Sequence, residues 1–226
     1  MNSNQYAVVV AGGKGSRIKS QVPKQFLELN GLPVLMHTLL SFYKYSEKIK
    51  VILVLPEGDF GTWHALCSRH NFTWPVILQK GGDTRFQSVK NGLEKIEADG
   101  LVAIHDGVRP LVSVDTITAS FQLAARSESA VAAVPLKESI RMVEGNGTTA
   151  VDRTKFRLIQ TPQTFKISLI KHAYQIQEDL DLTDDASVAE RAGFTISLFE
   201  GSYENIKITT AEDLFMAETL LKARQV

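Results

Sequence analysis

The stretch "YAVVVAGGKGSRIKSQVPKQF", residues 6–26, decides the fold. Its first six residues form a continuous apolar run, which is typical of a strand buried on both faces of a parallel sheet. A loop with glycines at positions 12, 13 and 15 follows, and four cations precede the first carboxylate, Glu28: Lys14, Arg17, Lys19 and Lys24. Glycines let backbone N–H groups approach an anion and cations neutralise its charge, so the stretch predicts a phosphate-binding loop. The alternative is a solvated basic connection between two elements.

Strands and helices alternate along the chain as far as residue 135. Apolar runs at 50–55, 75–79, 101–105 and 129–135 predict further strands. Helices are predicted between them, from Pro33 onward, over about 60–70, after "GGDTR" (81–85) and near 113–126. We therefore predict an α/β fold, a Rossmann-like and mostly parallel sheet with flanking helices.

The alternation stops at residue 136. Polar and apolar residues alternate over 136–157 around "GNG" (145–147), which predicts a projecting β-hairpin arm. No internal repeat or linker interrupts the sequence, so residues 1–226 are predicted to form a single domain that carries this arm. The remaining predicted elements are helices at 166–178, 185–191 and 211–224, a strand at 194–199, and the segment "NIKIT" at 205–209.

The composition limits the classes of function. Lys plus Arg and Asp plus Glu both number 25 among 226 residues, which argues against non-specific binding to nucleic acid or membrane. The single cysteine, Cys67, excludes an internal disulfide and fits a reducing compartment, so we expect a cytoplasmic protein. Neither a secretory signal nor a membrane span is expected, because no apolar run approaches about 18 residues.

The glycine loop fits neither of two common nucleotide-binding patterns. A Walker loop is excluded because no Gly-Lys-Ser or Gly-Lys-Thr follows at the required spacing. Ile18 stands where a dinucleotide fingerprint needs its third small residue, which argues against a nicotinamide oxidoreductase.

Two further stretches indicate a ligand site at the same sheet edge. In "GGDTRFQS" (81–88), glycines again follow a strand and precede a helix. In "HDGVRP" (105–110), Asp106 lies at the carboxyl end of a predicted strand, where open α/β sheets bind ligands. A carboxylate beside a phosphate loop favours Mg²⁺, although Asp106 could equally cap a helix or pair with Arg109. His105 is expected in the core, with a general base as the alternative.

A third stretch, "TDDAS" (183–187), also supports a ligand site, although Thr183 or Asp184 could equally cap a helix. A metal site on a helix is a weaker candidate. His64, Cys67 and His70 have a spacing of three, but these positions drift around a helix and lack a fourth ligand nearby.

Taken together, these motifs resemble the 2-C-methyl-D-erythritol 4-phosphate cytidylyltransferase family of nucleotidyltransferases. Seven segments occur in the family's order between residues 11 and 209: "AGGKGSRIKSQVPKQF", "GGDTRFQSV", "HDGVRP", "VDR" (151–153), "QTPQTF" (160–165), "TDDAS" and "NIKIT". The resemblance implies transfer of a cytidylyl group from CTP to methylerythritol phosphate in the non-mevalonate isoprenoid pathway. Pyrophosphate is released, and Mg²⁺ or another divalent cation assists.

The resemblance also implies roles for individual residues. Arg17 and Lys24 would stabilise the transition state, while Arg153 and Lys207 would position the attacking phosphate. CTP would be bound by Ala11, Gly12, Gly13, Gly15, Lys24, Gly82, Asp83, Ser88 and Asp106, and the metal by Asp106. The polyol phosphate would be bound by Asp106, Arg109, Ser139, Arg153, Thr161, Thr183 and Lys207.

The resemblance further implies a homodimer with arm exchange. A two-stranded hairpin is marginally stable alone in water, so the arm should pack on a partner, and a symmetric dimer supplies one. Arg153 of one chain would then complete the site of the other.

Departures from the family pattern leave the polyol open. Glu138 and Ser139 replace a frequent Asp-Thr pair, and "HDGVRP" replaces the more usual "HDAARP". Glycine for alanine at 107 is a harmless exchange by size, but Val108 adds bulk and resembles the ribitol-phosphate cytidylyltransferases. "TDDAS" and "NIKIT" favour methylerythritol phosphate over ribitol 5-phosphate.

A non-catalytic nucleotide-binding regulator on the same scaffold is the alternative from another class. It would need the glycine loop but not cations on both sides of the reacting phosphate. The combined presence of five residues therefore favours an enzyme over a regulator: Arg17, Lys24, Asp106, Arg153 and Lys207.

Overall fold

A seven-stranded sheet forms the centre of the molecule in the computed structural model, which describes residues 4–13 and 22–224. The strands in chain order are β1 (Asn4–Val10), β2 (Glu28–Leu29), β3 (Leu32–Pro33), β4 (Lys50–Leu55), β5 (Ile77–Lys80), β6 (Gly100–Asp106), β7 (Ser129–Pro135), β8 (Ile140–Glu144), β9 (Gly147–Val151), β10 (Arg157–Lys166) and β11 (Leu198–Glu200). The helices are α1 (Val34–Tyr45), α2 (Phe60–Arg69), α3 (Arg85–Glu94), α4 (Val114–Ser127), α5 (Ile167–Ala173), α6 (Asp185–Arg191) and α7 (Ala211–Ala223).

The strand order in the central sheet is β11-β7-β10-β6-β1-β4-β5. All neighbouring strands run parallel except β10, which is antiparallel to both β6 and β7. The predicted α/β fold with a mostly parallel sheet is therefore confirmed. Among the helices of the described ranges, none has the length and apolar character that a membrane span needs.

Both faces of β1 are buried, as its apolar run predicts. Val8 and its alternate neighbours pack with residues of α3, α5 and α6 on one face. Val9 and its neighbours pack with residues of α1, α2 and α4 on the other. Because side chains alternate along a strand, a run apolar at every position can serve two cores at once.

The largest difference from the sequence prediction is β10. The sequence analysis predicts no strand here: the arm ends at residue 157, the motif "QTPQTF" (160–165) has no predicted element, and a helix begins at residue 166. The strand is missed because "QTPQT" is polar and contains a proline. The polar side chains are buried but satisfied: Thr164 donates to Ser120 (2.9 Å), and Gln163 binds both Asp184 and the N–H of Ala186 (2.8 Å each). Partners from distant segments therefore make this sequence a strand.

Other predicted boundaries also shift. The helix predicted over 166–178 ends at Ala173, and the strand predicted over 194–199 is reduced to Leu198–Glu200. Tyr174 then directs the chain toward α6, since its hydroxyl donates to Asp185 (2.6 Å). The segment 205–209 is not a strand.

The predicted hairpin is confirmed. Strands β8 and β9 pair from Ile140↔Val151 to Glu144↔Gly147 in a separate two-stranded sheet. Gly145 has φ +55°, a left-handed conformation that favours glycine in a tight turn.

Gly92 of α3 provides a test of how closely this helix packs on the sheet. A Cβ at this position would lie 2.6 Å from Val8 Cγ1 and 3.0 Å from Val54 Cγ2. Gly92→Ala should therefore destabilise the protein by about 1–3 kcal/mol in urea unfolding, because the valines cannot move without repacking. Gly61→Ala in α2 is the matched control, since nothing lies within 4 Å of its added Cβ. The control should stabilise by about 0.5–1 kcal/mol, and equal stability of the two variants would contradict this packing.

Candidate active site

A cleft of about 990 Å³ opens at the carboxyl ends of β1, β4, β5 and β6. The chain adds β4 on one side of β1 and β6 on the other, so the cleft lies at the switch point where ligands bind in such sheets. Several predicted site residues line it: Ala11, Gly12, Gly13, Lys24, Gly82, Asp83, Ser88, Asp106 and Lys207.

Lys24 lies against the glycine loop. It begins a short 3-10 turn, Lys24–Phe26, and its Cε is 3.7 Å from where a Cβ of Gly13 would be. The predicted loop and one of its cations are therefore adjacent at the end of β1. Arg17 and Gly15 lie outside the described residues.

The second glycine loop is fixed by its own helix. The N–H of Gly82 donates to Ser88 Oγ (3.1 Å), and the N–H of Asp83 donates to Gln87 Oε1 (3.0 Å). Thr84 caps α3 by accepting from the N–H of Gln87 (3.1 Å). Ser88 thus holds the loop backbone, and the N–H groups of residues 82 and 83 are already occupied.

Asp106 lies at the centre of a cluster of cations. Its Oδ2 is 3.1 Å from both Arg109 Nε and Lys207 Nζ, and its Oδ1 is 3.7 Å from Arg85 Nε. Burial alone would raise the pKa of the Asp106 carboxyl, but the charges of Arg85, Lys207 and Arg109 together hold this pKa well below its usual range. Asp106 is therefore ionised, and it holds the cations in place. The predicted pairing with Arg109 is observed.

Arg85, which is partly buried, forms an ion pair with the buried Asp185 that the sequence analysis missed. The Arg85 guanidinium contacts both carboxylate oxygens of Asp185, at 3.0 and 2.6 Å, and Asp185 is fully buried. Burial and the Asp185 charge raise the pKa of the Tyr174 hydroxyl, which remains a donor to this carboxylate. The pair brings the start of α3 together with the start of α6, beside Asp106.

The cap predicted in "TDDAS" is confirmed, with Asp184 in that role. Asp184 accepts from the N–H of Ser187 (2.9 Å), whose hydroxyl oxygen accepts from the N–H of Asp184 (3.2 Å). Thr183 is exposed and does not line the cleft.

Arg109 and Thr161 lie behind Asp106 rather than on the cleft surface. Thr161 Oγ1 accepts from the N–H of Asp106 (3.0 Å), and Arg109 donates to the carbonyl of Asn205 (2.8 Å). Asn205, which the sequence analysis did not single out, donates to the carbonyl of Thr161 (2.8 Å). These contacts fix the strand end from which Asp106 reaches the cleft.

Ser139 and Arg153 are exposed and do not line the cleft. Arg153 donates to the carbonyl of Lys137 at the base of the arm. The described part of one chain therefore does not bring these two predicted residues to Asp106.

The residues of the motif "HDGVRP" are closely packed against their neighbours. His105 lies in the core, as expected. Burial lowers the pKa of His105 to about 3, so its ring is neutral at pH 7. A Cβ at Gly107 would lie 2.8 Å from the Cβ of Ala11, so an alanine at this position would require its neighbours to shift. Val108 is buried in a cluster with Ile208, which accommodates its bulk.

The donor set around Asp106 suits a cation only in part. Within residues 4–13 and 22–224, no group of three or more His, Cys, Asp or Glu is placed to hold a metal ion. Asp106 Oδ1 is the carboxylate oxygen without a cation at hydrogen-bond distance, since the nearest described cation is 3.7 Å away. A magnesium ion bound here would therefore complete its shell with water and substrate oxygens, which is its usual habit.

A glycine loop with an adjacent cation, facing a carboxylate at the switch point of an α/β sheet, defines a nucleotide-binding class of protein. The family model for IspD, 2-C-methyl-D-erythritol 4-phosphate cytidylyltransferase, matches residues 5–223. The chain is 46% identical to the protein of that name from Bacteroides thetaiotaomicron over 217 residues, which cover 96% of this chain and 99% of the relative. It is 45% identical to the one from Porphyromonas gingivalis, covering 98% and 99%.

Solved structures agree. The 4-diphosphocytidyl-2C-methyl-D-erythritol synthase of Anaerococcus prevotii superposes with a TM-score of 0.83 at 26% identity, covering 97% of this chain and 99% of that one. The cytidylyltransferase of Thermus thermophilus gives 0.78 at 29% identity, covering 98% and 100%. This chain belongs to the 2-C-methyl-D-erythritol 4-phosphate cytidylyltransferase family and is a nucleotidyltransferase. The resemblance seen in the sequence is confirmed.

The buried pair predicts a strong effect on stability. Asp185→Asn should lower the free energy of unfolding by about 1.5–3 kcal/mol, because it weakens the hydrogen bonds of a charged, buried partner to Arg85, whose other carboxylate, Asp106, is 3.7 Å away. Asp179→Asn is the control in the same segment, where an exposed pair with Arg191 is removed. Its urea midpoint should stay close to that of the parent. If Asp185→Asn also keeps the parent midpoint, the pair does not stabilise the fold.

Proposed function

We propose that this enzyme transfers the cytidylyl group of CTP to 2-C-methyl-D-erythritol 4-phosphate in the non-mevalonate isoprenoid pathway. The products would be 4-CDP-2-C-methyl-D-erythritol and pyrophosphate. The observation that carries the proposal is the cleft itself, which has Gly12, Gly13 and Lys24 on one side and Asp106 with Lys207 on the other. Family membership over residues 5–223 supports the same reaction. With one cysteine and no need for an oxidising compartment, we expect it to act in the cytoplasm.

In the proposed reaction, an oxygen of the polyol phosphate attacks the α-phosphorus of CTP in line. The new P–O bond forms as the bond to the β-phosphate oxygen breaks, and pyrophosphate leaves with that electron pair. Two anions meet in this step, so the protein contributes mainly positioning and charge stabilisation. Arg17 and Lys24 would stabilise the α-phosphoryl oxygens, while Lys207 and Arg153 would hold the attacking phosphate.

The base would be read by the loop at 82–88. The N–H groups of Gly82 and Asp83 already donate to Ser88 and Gln87, so these two groups are not available as donors to a ligand. Cytosine presents an amino donor at the position where uracil presents an oxygen acceptor. This arrangement favours CTP over UTP.

Mg²⁺ would be held by Asp106 Oδ1 together with oxygens of the triphosphate. When bound, it would neutralise phosphate charge and orient the α-phosphate. Arg109 and Lys207, each 3.1 Å from Oδ2, would keep the carboxylate in one orientation for this contact.

We propose a homodimer in which Arg153 and Ser139 of each arm serve the partner's cleft. Both side chains are exposed and neither lines the cleft of its own chain, which supports action in trans. The arm region also exposes large apolar side chains that a second copy would cover: Met142, Val143, Phe156, Leu158 and Ile159. Tyr203 holds the base of the arm, since its hydroxyl donates to the carbonyl of Pro135 (2.8 Å) and its ring lies 3.7 Å from Lys137 Nζ.

Pyrophosphate release with CTP and each candidate polyol phosphate tests the reaction. We expect turnover with methylerythritol phosphate to exceed that with ribitol 5-phosphate at equal concentration. Faster turnover of ribitol 5-phosphate would replace the proposed substrate by the alternative. Binding of CTP without turnover of either polyol phosphate would favour a regulator instead.

Mixed dimers test the role of Arg153. Lys24→Ala and Arg153→Ala should each reduce kcat by about 10²–10³, as expected for loss of a charge at the reacting phosphates. The two variants are unfolded, mixed equally and refolded. If Arg153 acts in trans, about half the dimers are mixed and each has one intact site, so about a quarter of wild-type activity returns.

If Arg153 acts in its own chain, every site keeps one defect and activity does not return. Formation of mixed dimers is checked first, by native mass spectrometry of differently tagged chains. Lack of rescue in preparations that contain mixed dimers would overturn the exchange of arms.

A further inference from the structure

Gln87 lies behind the proposed base-binding loop and does not itself line the cleft. Its side chain packs directly on Gly82, because a Cβ at Gly82 would lie 2.3 Å from Gln87 Cβ. Its amide oxygen accepts from the N–H of Asp83 (3.0 Å). The path of the backbone at residues 82 and 83 therefore depends on where Gln87 stands.

Glu178 fixes the other end of this amide. Gln87 Nε2 donates to Glu178 Oε2 at 2.9 Å, across 91 residues of sequence. The two contacts together define the orientation of the amide, because the Asp83 N–H can only donate and the ionised carboxylate can only accept. A flipped amide would lose both hydrogen bonds.

Glu178 belongs to the segment between α5 and α6. The far end of that segment carries Asp185, which binds Arg85 at the start of α3. The loop and the first turn of α3 are thus attached to the same segment at two points. A hydrogen bond to a charged partner is about twice as strong as a neutral one, which suits a fixed support.

We propose that Gln87, oriented by Glu178, is a positioning residue that sets the affinity for the cytosine nucleotide through residues 82 and 83. The proposal rests on the proposed function, in which this loop binds the base. Gln87 acts on binding rather than on the chemical step, because the reacting phosphates lie at the glycine loop and at Asp106.

A swap of the two side chains tests this role. Gln87→Glu can still accept from the Asp83 N–H but places a carboxylate against Glu178, and we expect the CTP KM to rise about tenfold with kcat within about twofold. The double variant, Gln87→Glu with Glu178→Gln, restores the hydrogen bond with donor and acceptor exchanged. Its CTP KM should return to within about threefold of wild type. The KM for the polyol phosphate should not change in any of these variants.

The matched control is Gln175→Glu, which adds the same charge at an exposed position of the segment that carries Glu178. It should leave the CTP KM unchanged. Glu178→Ala is a second variant that keeps the Gln87–Asp83 contact, and it should raise the CTP KM in the same direction. Thermal unfolding confirms that each variant is folded, so that a loss of affinity is not a loss of native protein.

Calorimetry of CTP binding without polyol phosphate separates this inference from the proposed function. Wild-type protein that fails to bind CTP would overturn the proposed function. If the wild-type protein binds CTP, two results would overturn the role of Gln87 alone. One is that Gln87→Glu binds CTP no more weakly than Gln175→Glu. The other is that the double variant does not recover the affinity for CTP.

Discussion

The buried carboxylate of Asp106 is the interaction on which the rest of the site depends. Strand β6 delivers it, and Arg85, Arg109 and Lys207 reach it from three different segments. Removing one partner of a buried pair leaves an uncompensated charge and costs more than the pair contributes. The cluster therefore fixes the relative positions of α3, the loop after β6 and the segment before α7.

A carboxylate in a cleft that is proposed to bind anions has a physical reason. Cations that face only one another would repel, whereas an ionised Asp106 holds them in place before a phosphate arrives. The members differ in exposure: the side chain of Arg109 is 10% exposed and that of Lys207 is 40% exposed. In the proposed reaction, Lys207 would turn to a phosphate while Arg109 remains with the carboxylate.

The sequence predicted those parts of the molecule whose cause is local. Apolar runs predicted β1, β4, β6 and β7, and "GNG" predicted the hairpin turn, because burial on a sheet and turn geometry depend on neighbouring residues. The family motifs correctly brought Lys24, Asp106 and Lys207 to one cleft. Strand β10 was missed because its polar residues become a strand only through partners such as Ser120 and Asp184.

The supporting contacts escaped prediction for the same reason. Arg85 and Asp185 are 100 residues apart, and Gln87 and Glu178 are 91 apart, so no spacing or periodicity connects them. Motifs reveal residues of the right chemical type near a ligand, whereas a residue that acts through another can be of many types. Both missed pairs join α3 to the segment before and at the start of α6. That segment contains "TDDAS", whose Asp185 holds Arg85 and with it the first turn of α3.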